Sequence, residues 1–167
     1  MTITVFGLGF VGLTTSLGFA ENGHTVYGVE INTQRLNTIN SGKLPFLEPG
    51  LDDALLRHLH NRFHPISTDR LSEAVAQSDC IYYCVGTPYG NDGQADLTYL
   101  LSAVDQTLSN LKSQISNLKS QISNYKVLVV KSTVPPSTTS QKLIPYIEQK
   151  GLRVGTDLGV ANNPEFL

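Results

Sequence analysis

Residues 2–12 read TITVFGLGFVG. The first five are β-branched or aromatic, which favours a strand. Gly7, Gly9 and Gly12 then form G-x-G-x-x-G, and LTTSLGFAENG after them has helical spacing with Gly23 as its stop. A glycine pattern between a strand and a helix has a physical use. Gly7 permits a tight turn, Gly9 lets the backbone approach a pyrophosphate with no Cβ in the way, and Gly12 lets the helix pack closely on the strand. The helix N-terminus offers unpaired N–H groups and a partial positive charge to the phosphate. A second strand, HTVYGVE, ends in Glu30, 18 residues past Gly12. A carboxylate at that place accepts hydrogen bonds from adenosine ribose hydroxyls and repels a 2′-phosphate, so NAD is favoured over NADP.

The rest of the chain continues the alternation. NTQRLNTINSG starts with a capping residue and ends in glycine, LDDALLRHL is amphipathic, and LSEAVAQSD is a short helix. CIYYCVG and KVLVVKS are continuous apolar runs of the kind found in buried parallel strands. FHPIST is a weaker strand, which Pro65 assigns to an edge. PSTTSQKLIPYIEQKG predicts a helix starting near proline, and LRV and DLGVAN are the last strand candidates. Strand and helix in turn imply parallel pairing with right-handed crossovers. The expected fold is a doubly wound, Rossmann-like parallel sheet in three α/β/α layers, with ligands at the carboxyl ends of the strands.

Composition narrows the class. The 167 residues suit one domain, and a net charge of −2 gives no reason to expect nucleic acid or an anionic membrane as partner. Residues 1–20 carry no charge, yet four glycines and five Ser/Thr, with no preceding Lys or Arg, argue against a membrane span or a secretory leader. Two cysteines are too few for a disulfide framework, so a cytoplasmic location is expected. Cys80 and Cys84, among Ile, Tyr and Val, read as buried and inert. His58, His60 and His64 have no acidic or thiol companion at ligand spacing, so a solvated helix end is expected and no metal site.

Three further stretches fall at strand ends. CVGTPYGNDGQADLTYL carries Thr87 and Pro88 into a loop before a helix capped by Asp96. VVKSTVPPSTT places Ser132 and Thr133 at a strand's carboxyl edge, as caps or as holders of substrate or water. NNPEFL puts Glu165 just past the last candidate strand. One segment departs from the pattern: SNLKSQI at 109–115 is repeated at 116–122. A single helix over 97–124 would be about 42 Å long, more than the strands it must connect. Either the helix projects and the chain doubles back, or part of the repeat is an extruded loop. The preferred reading is a tolerated tandem duplication; an interhelical contact in an oligomer is the alternative.

These motifs in this order, with LPFLEPGLDDAL, resemble the nucleotide-sugar dehydrogenases of the UDP-glucose/GDP-mannose dehydrogenase family, the UDP-glucose 6-dehydrogenase type most closely. The resemblance implies an N-terminal NAD domain spanning residues 1–167, with the heptad insert near 109–124, and a separate UDP-sugar domain beyond it. In such enzymes a C6 alcohol becomes a carboxylate in two hydride transfers to NAD, through a cysteine-bound intermediate. UDP-glucose is the implied substrate, with GDP-mannose or a UDP-N-acetylhexosamine as alternatives. Gly7, Gly9, Phe10, Val11, Gly12, Glu30, Arg35, Thr87, Pro88 and Ser132 fall at cofactor-contacting positions. Thr133 and Glu165 fall where a hydroxyl and a carboxylate position and activate water or the substrate alcohol. Neither Cys80 nor Cys84 matches the nucleophile, so this chain alone is expected to bind NAD without turnover. The full-length protein is implied to be a homodimer or larger, and a non-catalytic NAD-binding fragment is the alternative from another class. Two departures stand out: Glu30 replaces the usual aspartate, and Ser137 stands where glycine is common.

Overall fold

The computed structural model describes residues 1–90, 93–117 and 125–165, with 113–117 described as backbone only. The first half of the chain runs β1 (Thr2–Phe6), α1 (Phe10–Glu21), β2 (Thr25–Val29), α2 (Thr33–Asn40), α3 (Leu51–His58) and β3 (Phe63–Ile66). The second half runs α4 (Leu71–Gln77), β4 (Cys80–Tyr83), α5 (Thr98–Asn117), β5 (Lys126–Val130), α6 (Ile144–Gln149) and β6 (Leu158–Asn162). The strands form one parallel sheet in the order β3-β2-β1-β4-β5-β6. Between β1 and β4 the winding reverses, and in such sheets that is where a crevice opens at the carboxyl ends. The expected doubly wound fold is therefore the observed one, with Pro65 on the edge strand β3.

Alternation along the strands feeds two cores. Ile3, Val5 and Val26 pack on one face against Leu13 and Leu17 of α1 and Leu55 of α3. Phe6, Ile81, Tyr83, Leu128 and Val130 pack on the other against α4, α5 and α6. Leu13, Leu17, Leu55, Ile81 and Leu128 are fully buried. Each such side chain contributes about 1.5–3 kcal/mol relative to exposure. A buried lysine joins the two ends of this second layer. Lys126 Nζ donates to the Ala76 carbonyl at 3.1 Å and the Ser78 carbonyl at 2.6 Å, satisfying main-chain acceptors at the end of α4. Burial pushes its pKa down and the Asp79 carboxylate opposes this.

Helix α5 continues through the whole first copy of the repeat, which settles half of the question it raised. Leu100, Val104, Leu108 and Leu111 are buried, so the first copy belongs to the packed helix. The second copy beyond Asn117 lies outside the described residues.

At the C-terminal end the helix expected near proline is present: Ser137 takes a left-handed φ of 66°, the chain is helical from Thr138, a π-helical turn covers Thr139–Leu143, and α6 continues it. One expectation is corrected there. LRV is no strand, because Val154 makes a single isolated bridge to Leu158.

Candidate functional site

The glycine turn is built by close approach. Gly7 leaves β1 with φ +86°, and a Cβ there would lie 2.9 Å from the Cys84 carbonyl oxygen. A Cβ on Gly12 would lie 1.8 Å from the Gly7 carbonyl oxygen, an impossible contact. Gly9 differs, since a Cβ there would meet nothing within 4 Å. That open space faces the start of α1, whose cap Gly9 has no side-chain hydrogen bond and whose first turn carries no acid. An uncapped, unopposed helix N-terminus beside an open glycine fits a bound anion, and a pyrophosphate in particular. Phe10 stands half-exposed there with its ring 5.1 Å from that of Phe46, and Val11 is half-buried on the same turn.

Glu30 follows β2 and is only 3% exposed. Its Oε2 accepts from Leu8 N–H at 3.0 Å and from Arg35 Nη1 at 3.0 Å, while its Oε1 accepts from Asn32 N–H at 2.8 Å. Asn32 in turn caps α2 by accepting from Arg35 N–H at 2.9 Å. One carboxylate thus ties the glycine turn to the start of α2. A buried charge needs such pairing to be tolerable.

Between these elements lies a cleft of about 370 Å³. This falls within the range of about 300–1,000 Å³ usual for small-molecule sites. Gly7 and Gly9 meet it at its base, Val29, Glu30, Asn32 and Arg35 on one side, and Val85 and Gly86 of the β4 end on another. Thr68 and the α5 residues Tyr99, Ser102, Ala103 and Gln106 complete it. The sequence reading passed over this α5 strip. Its signal was the spacing 99, 102, 103, 106, one helix face distinct from the buried row at 100, 104, 108 and 111.

The remaining predicted residues form a second group, over β4, β5 and β6, and do not line that cleft. Ser132 is buried, and its Oγ donates to the Val85 carbonyl at 2.6 Å. Thr87 Oγ1 donates to the Thr133 carbonyl at 2.7 Å, holding the β4 loop, with Pro88 next in line, against the β5 end. Thr133 Oγ1 donates to the Glu165 carbonyl at 2.7 Å, so the two are brought together through main chain and not through the carboxylate. The Glu165 carboxylate pairs instead with Lys131 Nζ at 2.7 Å, and Lys131 is 13% exposed.

Cys84 lies on the cleft wall, and burial pushes its thiol up to about 12, with Lys131 pulling it down and Glu165 pushing it up. Burial also raises Cys80. A thiol protonated at neutral pH is a poor nucleophile. His58 is not the solvated residue its sequence suggested: it is 12% exposed, with Nε2 3.3 Å from a Glu21 carboxylate oxygen. Among the described residues no group of three or more His, Cys, Asp or Glu could hold a metal ion. Among them, too, no helix is long and apolar enough to cross a membrane.

Known proteins resemble this chain in sequence and fold. Residues 1–167 match the model of the UDP-glucose/GDP-mannose dehydrogenase family, NAD binding domain. The chain is 37% identical to a GDP-mannose 6-dehydrogenase of Pseudomonas aeruginosa, covering 100% of this chain and 36% of that one. It is 35% identical to the UDP-glucose 6-dehydrogenase TuaD of Bacillus subtilis, over 99% of this chain and 33% of that one. A crystal structure of a ternary complex of GDP-mannose dehydrogenase from Pseudomonas aeruginosa superposes with a TM-score of 0.87 at 35% identity, over 100% of this chain and 36% of that one. The chain therefore spans about a third of the length of the curated relatives it matches. With a glycine turn, an open helix N-terminus and a paired acid after β2 all in place, the chain belongs to the UDP-glucose/GDP-mannose dehydrogenase family as an NAD-binding domain.

Proposed function

We propose that this domain holds NAD for the oxidation of a sugar nucleotide at its C6 alcohol, and that by itself it binds the cofactor without turnover. The observation that carries the first part is the Glu30 network, which fixes the glycine turn and α2 around one cleft. When bound, NAD supplies the hydride acceptor. The open face at Gly9 and the amides of Phe10, Val11 and Gly12 take the pyrophosphate. Glu30 and Arg35 take the adenosine ribose. Thr87, Pro88 and Ser132 shape the opposite end, where Ser132 pins the β5 end to β4 and Thr87 pins the Thr133 carbonyl.

Thr133 and Glu165 stand beyond that end. Thr133 is the hydroxyl that orients a water or the substrate alcohol, and Glu165 is the carboxylate that accepts its proton.

The second part rests on the thiols. Cys84 is held protonated and walled by the glycine turn, so neither described cysteine offers the thiolate a covalent intermediate needs. The substrate is a nucleotide sugar, with UDP-glucose as the reading favoured from the motifs. A relative named for GDP-mannose stands at 37% identity and one named for UDP-glucose at 35%, so the sugar nucleotide is left to the assay. The test is thermal unfolding together with an NADH absorbance assay. NAD should raise the unfolding temperature as a native-state ligand does. NADH formation from NAD and either sugar nucleotide would refute the absence of turnover.

A further inference from the structure

We propose that the outer edge of β6 is a self-pairing surface, to which a second copy of this chain adds its own β6 in antiparallel register. The two edges of the sheet are built differently, and the difference carries the inference.

At the β3 edge the outward groups are already disposed of. The Arg62 and Ile66 carbonyls accept from Val26 and Glu30 N–H, so these residues face β2 and the alternate ones, Phe63 and Pro65, face away from the sheet. The Phe63 carbonyl is taken by His60 N–H at 2.8 Å, and Pro65 has no N–H to offer. Such devices keep an edge strand from pairing with another chain.

The β6 edge lacks them. Asn163 N–H donates to the Val130 carbonyl at 2.9 Å, which makes Gly159, Ala161 and Asn163 the residues turned to β5 and leaves Val160 and Asn162 turned outward. Among the described residues no turn, cap or side chain takes the main-chain groups of Val160 or Asn162. The strand LGVAN has no charge and no proline, and Ala161 and Asn162 are exposed.

What fits such an edge is an extended strand. A second β6 suits it because a two-fold axis sets each group against its own kind, and here no like charges meet. Val160 of each copy exchanges two main-chain hydrogen bonds with Asn162 of the other, while Ala161 lies opposite Ala161 with only methyl groups between the strands. Gly159 and Ala161 share the face on which Tyr125 stands 51% exposed, and a Cβ on Gly159 would lie 3.2 Å from the Tyr125 hydroxyl. The tyrosine gives the partner strand an aromatic flank. One short edge makes a small interface, of the transient class below about 1,200 Å².

The test is sedimentation velocity of the whole chain from micromolar to millimolar concentration. The native chain should pass from monomer to dimer as concentration rises, and hydrogen exchange at the Val160 and Asn162 amides should slow with it. Ala161→Lys sets two ammonium groups opposite each other and should weaken the dimer about tenfold or more. Asn162→Pro removes an outward N–H and should do the same. Unaltered thermal unfolding shows that the fold is kept, and Ala161→Lys, an exposed position, carries the test if Asn162→Pro is unstable. A native chain that stays monomeric throughout would overturn the proposal and leave the edge to a strand of another protein. Association at native strength in Ala161→Lys would overturn it too, by placing the contact elsewhere, such as along α5.

Discussion

Glu30 and Arg35 meet at 3.0 Å, with the carboxylate 3% exposed and the guanidinium 40% exposed. The acid is the inner member of the pair and the base the outer one. Because the same carboxylate also accepts from Leu8 and Asn32 N–H, its position is set by the main chain of the glycine turn and of the residue that caps α2. The extra methylene of glutamate over aspartate is thus used to reach under the glycine turn. Glu30→Gln keeps the shape, removes the charge, and turns one acceptor into a donor facing a donor. NAD affinity should fall about tenfold, and the preference for NAD over NADP should shrink because the repulsion of a 2′-phosphate is gone. Titration of the variant with both cofactors checks this.

The glycines should separate by role. Gly12→Ala drives a methyl group into the Gly7 carbonyl and should cost about 3 kcal/mol or prevent folding. Gly9→Ala fills open space, so denaturant unfolding should be nearly unchanged while NAD binding falls. Equal loss of stability in both variants would contradict the assignment of Gly9 to the ligand.

Ser137 pays a conformational penalty at φ 66°. Ser137→Gly should stabilise the domain by about 1 kcal/mol, since a left-handed conformation costs a side-chain-bearing residue roughly that much. Urea unfolding measures it, and a destabilised variant would show that the Ser137 side chain has a structural role of its own.

The Cys84 thiol gives a pH signature. Its folded pKa, about 12, lies above its ordinary value of 9.0, so the folded state holds its proton more tightly than the unfolded state. This contribution is fully present below about pH 9 and is lost as pH rises toward about 12. Cys84→Ala should flatten that alkaline fall in stability. In the native chain the thiol should react with an alkylating reagent far more slowly than after unfolding.

The repeat allows a deletion test. The two copies are identical, so removing residues 116–122 or 109–115 gives the same chain, with Leu111 kept as the end of the buried row. That chain should retain NAD affinity and the fold. Loss of both would show that the additional heptad is structural.

The legibility of this chain was uneven for physical reasons. The order of strands and helices could be read because each strand is a short apolar run and each turn carries glycine, proline or a capping residue. The glycine turn and Glu30 could be read because their roles depend on main-chain geometry and one charge at fixed spacing. The α5 wall could not be read, because exposed Tyr99, Ser102 and Gln106 look in sequence like any solvated helix face. Only the crossover from β4 to β5 turns that face toward β2. Thr133 and Glu165 were anticipated as neighbours, but their link through a carbonyl, with Lys131 on the carboxylate, depends on how the β5 and β6 ends align. The left-handed turn at Ser137 and the π-helical turn ahead of α6 were hidden because neither residue type nor spacing marks them.

The central claim is that these residues assemble an NAD site, and calorimetric titration of the purified chain with NAD and with NADP tests it most directly. Saturable binding of one NAD per chain, with NADP much weaker, is the predicted result. No binding of either cofactor, by a chain shown to be folded, would contradict the account.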